Sequence, residues 1–135
     1  MSARSKARKR ALDVLYAADM RSGGSTTDLL ADQHEAGQVN PYTVELVEGV
    51  SAHRDRLDEV IAGYLEGWTL TRMPAVDRNV LRIATYEILF VDDTPDAVAV
   101  SEAINLVRDL STDESPTYVN GVLGNIVRNR DSLVG

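Results

Sequence analysis

The sequence predicts an all-α protein of about seven helices. Apolar residues recur at helical spacing through most of its 135 residues, and no long stretch alternates apolar and polar residues as a half-buried strand would. Glycines, prolines and polar clusters separate these periodic segments. A chain of this length fits a single domain spanning residues 1–135, and it can bury a hydrophobic core without disulfide bonds.

The first helix is predicted over residues 4–22. Its apolar stripe has a spacing of nearly 3.6 residues and consists of Ala7, Ala11, Val14, Leu15, Ala18 and Met20. The basic residues Arg4, Arg8 and Lys9 fall largely off this stripe. We therefore expect the amino-terminal end of the helix to be a solvated basic segment.

A glycine-rich break and a short helix are predicted next. The Gly-Gly-Ser sequence at residues 23–25 ends the first helix. Thr26 or Thr27 then caps a short helix that continues to about Glu35, and residues 37–41 form a linker.

Residues 42–66 are predicted to form one long helix or two shorter ones. Apolar residues recur there at helical spacing: Leu46, Val50, Leu57, Ile61, Tyr64 and Leu65. Either Gly49 or the charged run at residues 53–55 could divide the segment.

Three more helices are predicted in the second half of the chain. The clearest covers residues 75–91, with an apolar stripe formed by Val76, Val80, Ala84, Ile88 and Val91. A turn at residues 92–95 leads to a helix over residues 97–110, whose inward face consists of Val100, Ala103, Ile104, Val107 and Leu110. Ser115 and Pro116 then open the last helix as N-cap and first helical residue.

Two glycines lie within the apolar stripe of the last helix. That stripe is formed by Val119, Val122, Leu123, Ile126 and Val127. Gly121 and Gly124 each cost about 1 kcal/mol of helix propensity relative to alanine. We expect close approach by a neighbouring helix to compensate for this cost.

The charge is distributed unevenly along the chain. The net charge is −7, and the first ten residues carry five positive charges and no acid, so residues 11–135 together carry −12. The five cations are Arg4, Lys6, Arg8, Lys9 and Arg10. A segment of like charges attracts polyanions, with nucleic acid as the first candidate and an anionic membrane surface as the second. Because this segment lacks bulky apolar residues before Leu12, it would enter a membrane interface only shallowly.

The composition argues against several classes of function. The absence of cysteine excludes disulfides and thiolate nucleophiles, and it suits a reducing compartment. No apolar run approaches the ~20 residues that span a bilayer, and no signal-peptide pattern follows the first charges. His34 and His53 are isolated, which argues against zinc. Phosphate-loop and GxSxG motifs are absent from the sequence. We expect a cytoplasmic protein that is not an enzyme and binds no cofactor or metal.

Four blocks of sequence then carry a resemblance to a known family. Arg4-x-x-x-Arg8 leads into Ala-Leu-x-x-Leu-Tyr at residues 11–16, and DRNVLRIATYE occupies residues 77–87. Pro95 precedes VAVSEAINLV at residues 98–107, and YVNGVL follows at residues 118–123. In this order the blocks resemble the NusB family of transcription antitermination factors. Two departures are mild: Ser101 where the family usually has Asn, and Tyr118 where Phe is common.

The resemblance implies a fold of two packed three-helix bundles with one further helix. It also implies a function on the elongating RNA polymerase. Family members pair with NusE, a small-subunit ribosomal protein, and the pair binds the single-stranded boxA element of ribosomal RNA leaders and suppresses premature termination. A NusB-like domain also occurs at the amino end of certain ribosomal RNA methyltransferases, which implies an alternative RNA-binding function without catalysis.

Candidate RNA-binding residues follow from the charge pattern and the resemblance. The five cations of the basic segment neutralise phosphates, although such a segment could also merely solubilise a terminus. Tyr16 matches a family position implicated in RNA contact, and a half-buried core tyrosine is an equal alternative. Tyr118 could stack on a base. Glu114 could repel phosphate and limit loose binding, or simply favour the positive end of the last helix.

Candidate partner-binding residues lie in the helix predicted over residues 75–91. The resemblance places Asp77 at the NusE-facing surface, while an acid favoured by the start of a helix is an equal alternative. Tyr86 and Glu87 line the protein interface or pack between the bundles. Arg82 is expected to hold an acid such as Glu87 or Glu102. Family members occur as monomers and as homodimers, so a homodimer is possible here.

Overall fold

The computed structural model describes residues 2–21 and 40–134, and these fold into seven α-helices with no strand among them. The helices are α1 (Ala3–Met20), α2 (Pro41–Ala52), α3 (Arg54–Ala62), α4 (Ala75–Phe90), α5 (Asp96–Leu110), α6 (Ser115–Arg128) and α7 (Arg130–Val134). The prediction of an all-α fold is confirmed. The predicted break at residues 23–25 and the predicted short helix that ends near Glu35 lie outside the described residues. His34 lies outside them as well.

The charged run, and not Gly49, divides the predicted long segment. The backbone N–H of His53 donates to the carbonyl of Gly49 at 3.0 Å and closes α2, and the His53 carbonyl accepts from Leu57 at 2.9 Å and opens α3. The short helix α7 was not predicted. Across residues 2–21 and 40–134, no helix is both long and apolar enough to cross a bilayer.

Helix α4 lies at the centre of the packing. It contacts α1, α2, α3, α5, α6 and α7. The prediction of a single apolar face for this helix is therefore incomplete, because polar side chains are buried on its other faces. These are Asp77, Asn79, Arg82, Thr85 and Glu87. Partners on the surrounding helices supply the hydrogen bonds that most of them need inside the protein.

Residues at helix ends depart from the predicted inward faces. Met20 is 60% exposed and Leu110 is 42% exposed, although both continue apolar stripes. Each is the last residue of its helix. Periodicity identifies the buried face of a helix but does not show where its neighbours stop covering it.

The close approach expected at the last helix occurs elsewhere. A Cβ atom at Gly121 would meet open space, and one at Gly124 would meet only Arg128 of the same helix, at 3.5 Å. At Gly49, by contrast, a Cβ atom would overlap the ring of Tyr86. The expectation for Gly121 and Gly124 is wrong, and Gly49 is the glycine that allows a neighbouring side chain to pack on its helix.

The predicted cap of the last helix is displaced by one residue. Glu114 occupies the N-cap position and makes no side-chain capping bond, while Ser115 is the first helical residue. The Ser115 hydroxyl is buried and donates to Asp77 at 2.7 Å. A tertiary contact has therefore replaced the expected local cap.

Candidate nucleic-acid interface

The basic segment is helical almost from its first residue. Ser2 caps α1, with its hydroxyl accepting a hydrogen bond from the Ser5 N–H at 3.0 Å. This cap compensates one of the unpaired N–H groups at the start of the helix. The cations of this segment consequently project in directions fixed by the helix.

Arg8 is buried, which corrects the expectation of a uniformly solvated basic segment. Its side chain is 3% exposed and its Nε lies 3.0 Å from both carboxylate oxygens of Glu87. Its Nη1 lies 3.3 Å from Glu102. Burial lowers the pKa of the Arg8 guanidinium, but the hydrogen bonds and charge of Glu87 outweigh it and raise that pKa overall. Arg8 therefore ties α1 to α4 and α5 and presents no free charge to a ligand.

Glu87 is equally enclosed, with 1% of its side chain exposed. Besides Arg8, it accepts a hydrogen bond from the hydroxyl of Tyr42 on α2. Burial raises the pKa of Tyr42 to about 12, with a further contribution from Glu87. The structure thus shows the second of the two predicted positions for Glu87, packed between helices, and a partner protein cannot reach this carboxylate directly.

Arg4 lies beside this buried pair, in a solvent-exposed site formed by Tyr42, Asp93 and Thr94. Its Nη2 is 3.1 Å from Asp93 Oδ2 and its Nη1 is 3.4 Å from Thr94 Oγ1. The guanidinium carbon lies 4.4 Å from the centre of the Tyr42 ring, within cation–π range. The hydrogen bond from Arg4 holds the pKa of the Asp93 carboxyl below its usual value.

The other cations of the segment are exposed to different degrees. Lys6 and Arg10 are exposed, and no ion pair joins either to an acid within the described ranges. Lys9 is paired with Asp13, one turn further along α1, at 2.7 Å. Arg4, Lys6, Lys9 and Arg10 are therefore the cations that solvent, and hence a phosphate, can reach.

A groove of about 400 Å³ runs between α1 and α5 from the basic segment. It is lined by Ser5 and Lys9 on one side and by Leu106, Asp109 and Leu110 among others on the opposite side. Tyr16 follows Lys9 by two helical turns, so it continues the same face of α1. Tyr16 is 39% exposed, which leaves part of its ring open to a ligand.

The opposite end of α1 is held by a second ionic cluster. Asp19 accepts hydrogen bonds from Arg78 at 2.8 Å and from Asn79 at 3.0 Å. Burial alone would raise the pKa of Asp19, but these donors and the nearby arginines lower it overall. Arg82 is a structural arginine, as predicted, but its partners are Asp58 at 2.7 Å and Asp19 at 3.6 Å, in place of Glu87 or Glu102.

Asp77 is fully buried in the first turn of α4. Its carboxylate accepts hydrogen bonds from the hydroxyls of Ser111 and Ser115. It thereby joins the start of α4 to the end of α5 and the start of α6. Of the two positions predicted for Asp77, the structure shows the acid at the start of a helix and not the surface carboxylate, because the two serines enclose it.

The beginning of α6 presents Glu114 and Tyr118. Glu114 is exposed beside the helix start, where the helix dipole favours an acid. Tyr118 is half-buried and packs edge-on against Trp68, with ring centres 4.9 Å apart. Its hydroxyl donates to the carbonyl of Glu66 at 3.0 Å. A base could meet only the part of the Tyr118 ring that Trp68 leaves uncovered.

Tyr86 belongs to an aromatic cluster at the surface. Its ring lies 5.4 Å from that of Phe90, and Phe90 stacks on His53 at 4.3 Å. Phe90 is 41% exposed, and burial raises the pKa of Tyr86. Phe90 and His53 were not predicted as candidates for this surface. The i,i+4 spacing of Tyr86 and Phe90 was the available signal, but the contact with His53 depends on the packing of α2 and α3 against α4.

Residues 2–21 and 40–134 bring no three His, Asp or Glu side chains together in a group that could hold a metal ion. Among the predicted RNA-binding residues, those that the structure leaves accessible are cationic or aromatic, except for the acid Glu114. Such an arrangement suits contact with a phosphate backbone and with unpaired bases.

The chain resembles known proteins in both sequence and fold. The sequence profile of the NusB family matches residues 5–128. A transcription antitermination protein NusB from Nocardioides sp. is 60% identical over 134 residues, covering 98% of this chain and 99% of that protein.

Two solved structures have a similar fold. T. maritima NusB has a TM-score of 0.85 at 31% identity, covering 96% of this chain and 93% of that one. The antitermination factor NusB solved in complex with NusE and double-stranded RNA has a TM-score of 0.81 at 25% identity, covering 93% and 96% of the two chains. On the family profile and the full-length relatives, the chain belongs to the NusB family of transcription antitermination proteins, which are not enzymes.

Proposed function

We propose that this protein acts in the cytoplasm as an antitermination factor that binds boxA RNA of ribosomal RNA leader transcripts together with NusE. In the elongating RNA polymerase complex, this assembly promotes processive transcription. The observation that carries the proposal is the row of accessible cations on the capped first turns of α1, which the buried Arg8 holds against α4. A chain with net charge −7 gains a localised site for a polyanion in this way.

The proposed path of the RNA runs from the basic segment along the groove between α1 and α5. Arg4, Lys6, Lys9 and Arg10 contact phosphates at one end, and Tyr16 lies further along the same face. Tyr118 and Glu114 lie beyond, at the start of α6. Arg8 near one end of this path and Ser115 near the other contact Glu87 and Asp77 of α4, which are ten residues apart, or about 15 Å along a helix. An extended strand of several nucleotides spans that distance.

The proposed protein partner is NusE, at the surface that carries Tyr86. The exposed ring of Phe90 and the stacked His53 give this surface aromatic character, which is typical of protein interfaces. Glu87 and Asp77 are buried, so they affect this surface only indirectly, by fixing the positions of the helices that pack against α4. A relative solved with both NusE and RNA supports the combination of partners.

Fluorescence anisotropy tests the proposal. A short boxA RNA is titrated with the protein plus NusE, beside a scrambled single strand and a boxA duplex. The Lys6→Gln/Arg10→Gln variant removes two accessible cations from the basic segment. The Arg56→Gln/Arg128→Gln variant makes the same change in charge on α3 and α6. The mass of the free protein, measured alongside, shows whether a homodimer forms.

We expect boxA to bind more tightly than the scrambled strand, and the first variant to weaken binding more than the second. Equal binding of boxA and scrambled RNA would contradict sequence-specific function. If the two variants weakened RNA binding equally, this would contradict the assignment of the basic segment as the RNA-binding site. Preference for the duplex over the single strand would contradict the proposed form of the RNA.

A further inference from the structure

Arg4 is held by a carboxylate in the geometry that a phosphate would take. Two guanidinium nitrogens face two oxygens of Asp93, at 3.1 and 3.5 Å. Arginine binds phosphates through this same two-pronged arrangement. The Tyr42 ring below and Thr94 beside it fix the guanidinium in place. Asp93 thus occupies the position on Arg4 that a backbone phosphate of bound RNA would need.

The pair is open enough for a ligand to exchange with it. The side chain of Arg4 is 44% exposed and that of Asp93 is 72% exposed. Exposed pairs of this kind contribute little to stability, so a phosphate can displace the carboxylate at small cost. Thr94, by contrast, is 4% exposed, and its hydroxyl lies within hydrogen-bond distance of the Tyr42 hydroxyl. We therefore expect Thr94 and Tyr42 to keep their positions when Asp93 moves away from Arg4.

We propose that Asp93 competes with RNA phosphate for Arg4 and so lowers the affinity for every RNA that uses this arginine. The inference rests on the proposed RNA-binding function. A ligand that makes only phosphate contacts must displace Asp93 without further compensation. A cognate RNA that also contacts Tyr16, Tyr118 or NusE gains enough binding free energy to do so. Asp93 thereby reduces the binding of weakly held polyanions.

The neighbouring residue provides a matched control. Asp92 lies in the same turn between α4 and α5 and is exposed, and no ion pair joins it to a cation within the described ranges. Replacing Asp92 by Asn removes the same charge at nearly the same place. Its effect on RNA binding therefore measures only the long-range electrostatic repulsion between the acidic turn and the RNA, which salt screens.

The experiment compares Asp93→Asn, Asp92→Asn, Arg4→Gln and Arg4→Gln/Asp93→Asn with the wild type. Each is titrated, with NusE present, into boxA RNA and into a scrambled single strand at fixed salt. We expect Asp93→Asn to bind the RNAs about two- to fivefold more tightly than the wild type does, which is the range that the energy of an exposed ion pair allows. We expect Asp92→Asn to gain less than twofold. In the Arg4→Gln background, Asp93→Asn should give only the small gain seen for Asp92→Asn.

The outcomes separate this proposal from the proposed function. Equal gains for the two aspartate variants, or an undiminished gain without Arg4, would overturn the role of Asp93 and leave RNA binding in place. A similar fold gain from Asp93→Asn on boxA and on the scrambled strand supports the competition, and a gain confined to one of the two strands contradicts it. If the wild type binds neither RNA, both the proposed function and the role of Asp93 are wrong.

Discussion

At the scale of single residues, the most consequential contact is the buried pair of Arg8 and Glu87. Moving two charges out of water is costly, and their attraction compensates only when the geometry is good and the remaining polar atoms are satisfied. Both conditions hold here, since Glu87 accepts bonds from Arg8 and Tyr42 and Arg8 also reaches Glu102. Removing one member leaves the other charged, buried and short of partners.

Replacing Arg8 by Met should therefore destabilise the protein by about 3–5 kcal/mol. Arg10→Met, an equal change in charge at an exposed position on the same helix, should alter stability by less than about 0.5 kcal/mol. Urea unfolding followed by circular dichroism measures both. Similar unfolding midpoints for the two variants would show that the buried pair does not hold α1 in place.

Tyr42 makes stability depend on pH in the alkaline range. Its pKa is about 12 in the folded protein and about 10 when unfolded, so the folded state retains the proton longer. The contribution of Tyr42 is complete below pH 10 and is lost as the pH rises from 10 to 12. It amounts to about 2–3 kcal/mol.

The Tyr42→Phe variant isolates this effect from other alkaline titrations. Relative to its own stability at pH 8, it should lose less than the wild type between pH 10 and 12. Urea unfolding at a series of pH values gives the two curves. Parallel curves would mean that Tyr42 does not titrate differently in the folded and unfolded states.

At the scale of the elements, periodicity predicted the helices but not their polar contacts. The bounds of α1, α4 and α5 agree with the prediction to within two residues. Arg8 could not be placed correctly because its partners lie 79 and 94 residues away along the chain. The two alternatives for Asp77 could not be distinguished for the same reason, since Ser111 and Ser115, which enclose it, lie 34 and 38 residues away along the chain.

The helical glycines allow a test of packing within an element. Gly121→Ala places a methyl group in open space, so it should stabilise the protein by about 1 kcal/mol through helix propensity. Gly49→Ala gains the same propensity, but its methyl group overlaps the Tyr86 ring. We expect a net loss of stability, because forced repacking costs typically 1–3 kcal/mol.

Thermal unfolding of the two glycine variants gives the comparison directly. The melting temperature should rise for Gly121→Ala and fall for Gly49→Ala. A rise for both would show that Tyr86 moves aside freely. In that case the aromatic cluster with Phe90 and His53 would be an adaptable surface, and the close approach at Gly49 would have no energetic consequence.

At the scale of the whole molecule, α1 is fixed to α4 at both ends. Arg8 with Glu87 holds the amino-terminal half, and Asp19 with Arg78 holds the carboxyl-terminal end. The backbone positions of the accessible cations between and before these anchors are therefore fixed before any RNA is present. This preorganisation reduces the conformational entropy that RNA binding would otherwise cost.

The same geometry sets the salt dependence of RNA binding. Five engaged cations would give a slope of log K against log salt of about −3.5 for a single strand, whereas the four accessible ones give about −2.8. We expect the protein alone to show the smaller slope. Arg10→Gln should reduce its magnitude by about 0.7, with or without NusE, while Arg128→Gln on α6 should leave it unchanged. A slope of −3.5 or steeper for the protein alone would mean that Arg8 leaves Glu87, or that cations outside the basic segment contact the RNA. The salt titration therefore tests whether the buried pair of the free protein persists in the complex.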